Sequence, residues 1–308
     1  MTLTELRYIV AVARERHFGR AAEASFVSQP TLSVAIRKLE DELGVTLFER
    51  SSGEVVPTLI GARIVEQAQR VLEQAGAIKE IAKSGKDPLK GPLKLGVIYT
   101  IAPYLLPQLV RHLHQRAPQM PLLLQENYTD RLRELLKQGD IDCAIVALPF
   151  EEPGFAIEPV YDESFVVAVP RAHAWAKRKS VAAHELKREH MVLLGPGHCF
   201  RDHVLEVCPD AGRYAADAEG IQKTFEASSL ETIRQMVASG VGITVLPASS
   251  VPLRLPRDSL LAYLPFTRPA PERRVALVCR KSFPRLAAVE AIVRAIQACE
   301  LPGTSRPG

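Results

Sequence analysis

Four side chains able to do redox or metal chemistry, His198, Cys199, His203 and Cys208, fall in one short stretch, Gly195-Pro-Gly-His-Cys-Phe-Arg-Asp-His-Val-Leu-Glu-Val-Cys208. Pro196 and Gly197 interrupt whatever precedes them. Phe200, Val204 and Val207 then recur at helical spacing, which predicts a helix with Cys199 at its N-terminus. The N–H groups and dipole of a first turn favour an anion. With His198 beside it and Arg201 near, the Cys199 thiol is expected to be held partly as thiolate, the reactive form. Cys208 lies nine residues on, which in a continuous helix is ~13 Å of rise and roughly half a turn out of phase. A disulfide spans at most about 7 Å between Cα atoms, so the two cysteines can join only if the segment unwinds. A segment that unwinds on oxidation is a switch. Two other readings compete: inert packing, since free cysteine is among the most buried residue types, and a metal site, since Cys199 and His203 stand at i and i+4. The known zinc spacings are not matched, and nothing nearby is rich in further Cys or His.

The elements that must position this stretch are strands and helices in alternation. The pattern predicts strand 93–98, helix 102–117, strand 121–126, helix 130–138 and strand 141–148, with the strands mostly parallel. A second block, 162–267, repeats the theme with strands at Phe165–Val169, Met191–Leu194 and Gly242–Pro247 and a helix over 229–239. The strand Arg273–Cys279 and a helix from Pro284 to Cys299 are expected to return to the first block. Thr100 and Thr129 each follow a strand at a helix start, where clefts of such folds collect polar groups.

Composition limits the setting. The chain has 308 residues, 47% apolar and 24% charged, with net charge +4. No apolar run approaches the ~18 residues needed to span a bilayer, and Met1-Thr-Leu-Thr opens straight into a folded pattern rather than a signal peptide. Five cysteines, an odd count at scattered positions, do not make a secreted disulfide framework, so a reducing cytoplasm is expected. Cys143 and Cys279 lie in apolar strand runs and Cys299 near the end of the last helix, and all three read as structural.

The N-terminal part is a different object. Leu3, Leu6, Ile9, Val10 and Ala13 share one face of a first helix, and Phe18–Ser25 makes a short second one. Ser28 is a good N-cap and Pro30 suits the first turn of a third helix, whose Leu32, Ile36, Leu39 and Leu43 face the others until Gly44 stops it. This is a helix-turn-helix or, on spacing alone, a plain three-helix cap. In the former, Gln29, Thr31, Ser33, Arg37 and Lys38 point outward, where polar side chains reach base edges and cations meet phosphates. Residues 46–50 and 53–58 read as a two-stranded wing. The segment is not basic overall, with seven Lys or Arg against eight Asp or Glu over residues 1–58. From Leu59 to about Ser84, Val65, Ala68, Leu72, Ala75, Ile78 and Ala82 form an apolar seam along a helix of ~25 residues and ~38 Å. Such a seam favours a dimer partner over burial in its own chain. The Gly/Pro-rich stretch 84–92 ends it and marks a domain boundary.

The residues Phe18-Gly-Arg-Ala-Ala-Glu-Ala, Val27-Ser-Gln-Pro-Thr-Leu-Ser33, Leu43-Gly44, Leu47-Phe-Glu-Arg50 and Pro57-Thr58 closely resemble the LysR-type transcriptional regulators, to the end of the chain. The resemblance implies an α/β fold with an N-terminal all-α winged helix-turn-helix (1–58), a long linker helix and hinge (59–91) and a two-lobed, periplasmic-binding-protein-like regulatory domain (92–308). Lobe I would comprise about 92–161 and 268–308, and lobe II about 162–267. It implies contact with an operator in double-stranded DNA through Gln29, Pro30, Thr31, Ser33, Arg37 and Arg50.

Within that family, Gly197–Asp202 with Cys208, Thr100–Pro107, Ser229–Thr232 and Gly242–Pro247 look like the peroxide-sensing OxyR branch. That likeness implies an activator of oxidative-stress genes that responds to hydrogen peroxide. Cys199 would be the peroxidatic and Cys208 the resolving thiol, joined in a reversible disulfide, with Thr100, Thr129, His198 and Asp202 around the first. An arginine from the late strand is also implied, and alternation favours Arg273 over Arg274 as the one pointing inward. Also implied are a homodimer through the linker helix assembling into a homotetramer, RNA polymerase as a partner, and a thioredoxin or glutaredoxin-type reductant. No cofactor or metal is implied, and the chain is expected not to be an enzyme, having no Cys-x-x-Cys dithiol of its own. The rivals are a regulator of this fold answering a small metabolite or metal with inert cysteines, and a thiol peroxidase with an appended helix-turn-helix.

Overall fold

The computed structural model describes residues 1–51, 54–84, 87–209, 228–254, 256 and 259–308, with backbone alone at 50, 51, 54, 77 and 79–84. Two compact units result, Met1–Lys86 and Asp87–Gly308. Among the described residues no helix is long and apolar enough to cross a membrane.

In the first unit each helix carries its own start and stop signals. Helix α1 (Leu3–Glu15) begins with a capping box in which Thr2 and Glu5 satisfy each other's backbone N–H. Helix α2 (Phe18–Ala24) is capped by the His17 ring. Helix α3 (Gln29–Leu43) is capped by Ser28 and closed by Gly44 in the left-handed conformation. Leu6, Ile9, Val12, Leu32, Ile36 and Leu39 make the core between them. Strands β1 (Phe48–Ser51) and β2 (Glu54–Pro57) form the antiparallel wing, whose tip, 52–53, lies outside the described residues. Gly61 opens helix α4 (Leu59–Ser84) where a Cβ would fall 2.0 Å from the Leu47 carbonyl oxygen. Only glycine lets the helix start this close to the wing.

Helix α4 corrects the expected seam. Ala68 is buried in the core of its own unit, with Ile64, Val65 and Leu72 packed against it. Among the described side chains of the helix, the large apolar ones left exposed are Leu59, Ile60, Val71 and Ile78, and Ala82 of the expected seam lies outside them. The helix carries two stripes, and the first half of the seam read from spacing belongs to the chain's own core.

The second unit is built on strands β3 (Leu93–Ile98), β4 (Leu122–Asn127), β5 (Cys143–Ala147), β6 (Phe155–Pro170), β7 (Thr244–Pro247), β8 (Leu261–Pro265), β9 (Glu272–Arg280) and β10 (Thr304–Ser305). Among the described residues its α-helices are α5 (Ala102–Arg116), α6 (Thr129–Gln138), α7 (Cys199–Val207), α8 (Leu230–Ala238) and α9 (Leu286–Gln297). The main sheet runs β10-β6-β9-β5-β3-β4, while β7 and β8 pair with the far end of β6. Among the named strands of the described residues, only the β3–β4 and β3–β5 pairings are parallel. The parallel arrangement expected over 93–148 is observed, and β9, which returns from the second lobe, slots between β5 and β6 antiparallel to both. Met191–Leu194 is not a strand. Met191 and Leu194 each sit in an isolated bridge, that of Met191 to Ile243, and Pro196 follows too soon for a ladder.

Two cores result. Lobe I buries Leu95, Val97, Leu105, Leu109, Ile145 and Leu277 among others, and lobe II buries Phe165, Val167, Leu194, Phe200, Ile233 and Leu246. Strand β6 serves both: residues 155–164 pair with β9, with a bulge at 159–161, and from Phe165 onward the same strand pairs with β7 and β8.

Candidate functional site

Helix α7 lies between the two cores. Gly197, at φ +90°, turns the chain against the Tyr128 ring, and His198 occupies the N-cap position without a capping side-chain bond. Cys199 opens the helix and packs against the lobe I core. Phe200, Val204 and Cys208 are buried in the core of lobe II. Cys208 closes the helix, its N–H donating to Val204 O. The five cysteines all carry thiols. With residues 199–207 helical, the rise keeps the Cα atoms of Cys199 and Cys208 ~13 Å apart, beyond a disulfide's reach.

Two strand-to-helix junctions and the turn that opens α7 meet at the thiol. Residues 98–100 after β3, 127–129 after β4 and 197–199 before α7 line a narrow cleft with room for about one water-sized molecule. Its wall is aromatic: the His198 ring lies 4.7 Å from Tyr128 and 6.0 Å from Tyr99, both edge-on. The buried Thr129 hydroxyl has no hydrogen-bond partner among the described residues and lies on the cleft beside Cys199, where it eases ionisation of the thiol. Thr100 is held from behind by Arg273, which donates to Thr100 Oγ1 at 2.9 Å and to Thr100 O at 3.1 Å. The same guanidinium stands over the Phe200 ring, 5.1 Å from its centroid, and donates to Glu163 at 2.7 Å.

The electrostatics differ from the expected picture. Burial is the largest influence on the Cys199 thiol and pushes it above its usual range; the Thr129 hydroxyl and the Arg273 charge only partly offset this. The resting group at neutral pH is therefore the thiol, not a thiolate. The first turn's dipole, legible in the sequence, loses to desolvation. Burial likewise lowers His198, with the Ser228 backbone pulling the other way, so at neutral pH it has no positive charge to lend. Arg201 turns away and donates to Leu194 O at 2.6 Å. Its expected place as the nearby cation is taken by Arg273, 2% exposed.

Of the residues expected around the thiol, Thr100, Thr129 and His198 line the cleft and Arg273 stands directly behind it. Asp202 is exposed and does not line the cleft; its charge makes ionisation of the thiol harder. Arg274 faces outward and pairs with Asp162 at 2.7 Å. His203 is neutral, lowered chiefly by burial, and its Nε2 donates to Leu148 O at 3.0 Å. Spacing did not reveal Tyr99, Tyr128 or Glu163. The first two each precede a threonine already singled out, whereas Glu163 sits between Asp162 and Ser164, and nothing in that polar run marks it as buried.

In the first unit Gln29, Pro30, Thr31 and Arg37 are exposed on the N-terminal half of α3, and Ser33 is half-buried. The Thr31 hydroxyl bonds the N-cap hydroxyl of Ser28 at 2.8 Å. Arg50 lies on β1 opposite Val55, and its side chain is outside the described residues.

The description "Bacterial regulatory helix-turn-helix protein, lysR family" matches residues 3–62, and "LysR substrate binding domain" matches 86–299. The hydrogen peroxide-inducible genes activator of Pectobacterium carotovorum is 45% identical over 92% of this chain and 92% of its own length. The DNA-binding transcriptional dual regulator OxyR of Escherichia coli K12 is 43% identical over 97% of this chain and 95% of its own. Among solved structures, a cysteine-to-aspartate variant of full-length OxyR from Pseudomonas aeruginosa is 50% identical. It covers 98% of this chain and 99% of its own, with a TM-score of 0.75. A hydrogen-peroxide-bound OxyR variant from Corynebacterium glutamicum is 36% identical, covering 96% and 91%, with a TM-score of 0.62. The helix-turn-helix, the two-lobed domain and this likeness along nearly the whole chain agree: the chain belongs to the LysR family of transcriptional regulators, in its OxyR branch.

Proposed function

We propose that this chain is a transcriptional regulator that binds an operator in double-stranded DNA and is switched by hydrogen peroxide through a reversible Cys199–Cys208 disulfide, activating oxidative-stress genes. The observation that carries the reading is the position of Cys199, which opens a helix rooted in lobe II while packing against lobe I, beside Thr129 and Arg273. A peroxide oxygen in the cleft meets that sulfur and the Thr129 hydroxyl together. The Cys199 sulfur, once deprotonated, attacks one oxygen and breaks the O–O bond, giving a sulfenic acid and hydroxide, which takes up a proton to become water. The Cys208 thiol then attacks that sulfur and the sulfenic oxygen departs as a second water, so one peroxide is consumed per disulfide.

The second step requires α7 to unwind, and Phe200 and Val204 then leave the lobe II core at a cost of roughly 1.5–3 kcal/mol each unless they are reburied. Reburial elsewhere on the second unit, with a changed contact between subunits, is the transmission this predicts. Gln29, Pro30, Thr31, Ser33, Arg37 and Arg50 serve the DNA. The stripe Ile60, Val71 and Ile78 on α4 supports a homodimer better than the buried Ala68 and the partly buried Val65 and Leu72 do, and pairs of dimers would make the tetramer. RNA polymerase is the downstream partner, and a thioredoxin or glutaredoxin-type reductant in the cytoplasm resets the switch. The chain is a stoichiometric sensor rather than an enzyme. Disulfide mapping after one equivalent of peroxide tests the proposal: a Cys199–Cys208 peptide pair supports it, and unchanged thiols at both positions overturn it.

A further inference from the structure

Two of the remaining cysteines face each other. Cys143 on β5 and Cys279 on β9 are register partners in an antiparallel pair, so their side chains leave the same face of the sheet. The same register, continued by one residue, sets Leu148 opposite Arg274, and Leu148 N donates to Arg274 O at 2.8 Å. Directly opposed pairs in an antiparallel ladder alternate between exchanging backbone hydrogen bonds and not. Counting back from 148 in twos, positions 146 and 144 exchange them, whereas 147, 145 and 143 do not. Cys143 and Cys279 therefore occupy a non-hydrogen-bonded pair, the kind with the closest side chains and Cα atoms roughly 4.5 Å apart. That separation lies inside the roughly 4.4–6.8 Å range that disulfides use. Cys199 and Cys208 must unwind a helix to meet, whereas this pair needs no backbone rearrangement.

We propose that Cys143 and Cys279 form a second dithiol–disulfide couple, a cross-strand bond that staples β5 to β9 in the lobe I sheet. The pair is chemically uneven. The hydrogen bond between the thiols makes Cys279 easier to ionise, helped by the adjacent Arg280, and makes Cys143 harder to ionise. Cys279 is the nucleophile and Cys143 the proton-bearing partner. With a hydroperoxide as oxidant, the Cys279 sulfur takes one oxygen as the O–O bond breaks, and water or an alcohol leaves. The Cys143 thiol then displaces that oxygen as water, closing the disulfide. Both residues are buried, so an oxidant reaches them only when the sheet opens, and the couple turns over more slowly than Cys199. The bond would fall at the joint of the sheet, between β4-β3-β5 and β9-β6-β10, on the strand that also carries Arg273. The inference is independent of the switch proposed for Cys199.

The test uses the full chain and its Cys199→Ser/Cys208→Ser/Cys299→Ser variant, which retains only this pair. Each is treated with hydrogen peroxide and, separately, equilibrated in an oxidised glutathione buffer with denaturant just below the unfolding transition, so that buried strands open and close. Denaturing alkylation and peptide mapping then count thiols. The expected result is loss of both thiols together and recovery of one linked peptide pair, Cys143 to Cys279, reversed by dithiothreitol, with the same pair found in the unaltered chain. Full alkylation of both cysteines in both arms, separate over-oxidation of either one, or linkage between different molecules would overturn the proposal.

Discussion

Arg273 and Glu163, opposite one another on β9 and β6, form an ion pair at 2.7 Å with neither side chain exposed to solvent. The pair lies where β6 leaves lobe I, and each partner reaches further: Arg273 to Thr100, and Glu163 to the backbone N–H of Ser249, 3.0 Å away. One contact thereby ties β3, β6, β9 and the segment after β7 to the floor of the thiol cleft.

Replacing Arg273 by Met should lower stability by about 3–5 kcal/mol, because it leaves the Glu163 carboxylate buried without its counter-charge. The double variant Arg273→Met/Glu163→Leu should recover much of that loss. Denaturant titration of the full chain measures both, and equal destabilisation by the single and double changes would show that the pair is not coupled as described.

Because burial raises the Cys199 thiol above its usual range, the reactive fraction at neutral pH is small and grows about tenfold per pH unit. Peroxide oxidation of Cys199 should therefore accelerate steadily from neutral to alkaline pH and level off only above the usual thiol range. Timed quenching with an alkylating reagent follows it, and a rate already flat at neutral pH would mean the resting group is a thiolate.

Cys199→Ser should abolish the transcriptional response to peroxide while leaving operator binding intact. Cys208→Ser should instead accumulate a sulfenic acid at Cys199, since the first oxidation does not need the second thiol. A dimedone-type reagent that labels Cys199 in the second variant is the positive result; full induction in the first would remove Cys199 from the mechanism.

Gln29→Ala should cost about 1–3 kcal/mol of operator affinity if its amide reads a base edge. Arg50→Ala should lower the salt slope of binding by about one, as expected when one phosphate contact is lost. Neither should alter Cys199 oxidation. Fluorescence anisotropy across a salt series separates the two effects, and unchanged affinity in both variants would mean that another face meets the DNA.

Oxidation should raise amide hydrogen exchange across residues 199–208 as α7 gives up its backbone bonds. The footprint on one operator should shift rather than vanish. Equal exchange in both redox forms would leave the disulfide with no route to the DNA.

The local grammar of the chain was largely legible. The helix start at Cys199 follows from Pro196, Gly197 and the spacing of Phe200 and Val204, and the separation of Arg273 from Arg274 is a consequence of strand alternation. What failed was whatever depends on surroundings. Arg201 stands two residues from Cys199 yet bonds a carbonyl elsewhere, since nearness in sequence does not fix where a side chain turns. The thiolate was inferred from a dipole visible in the sequence, and the desolvation that outweighs it comes from residues far along the chain. The direction and neighbours of β9 are illegible for the same reason: it enters a sheet begun far earlier in the chain, and no local pattern announces which strands it will join. Two apolar stripes on α4 cannot be told apart by period alone.

Strand β6 has a consequence for how such a chain can vary in length. Past its bulge at 159–161 it pairs with β9 through Ser164 and with β7 and β8 from Phe165, so one alternation of faces runs across the boundary from one lobe into the other. Inserting or deleting a single residue near position 164 would invert that alternation for everything downstream and exchange the faces of Val167 and Val169 with that of Ala168, putting large side chains where a small one packs in the lobe II core. Only changes of two residues preserve parity. The other crossing, 266–271 between β8 and β9, is a connecting loop with no such constraint. Insertions and deletions tolerated between the lobes are therefore confined to that second crossing, and β6 is a segment whose residue count is fixed even where its residue types are not.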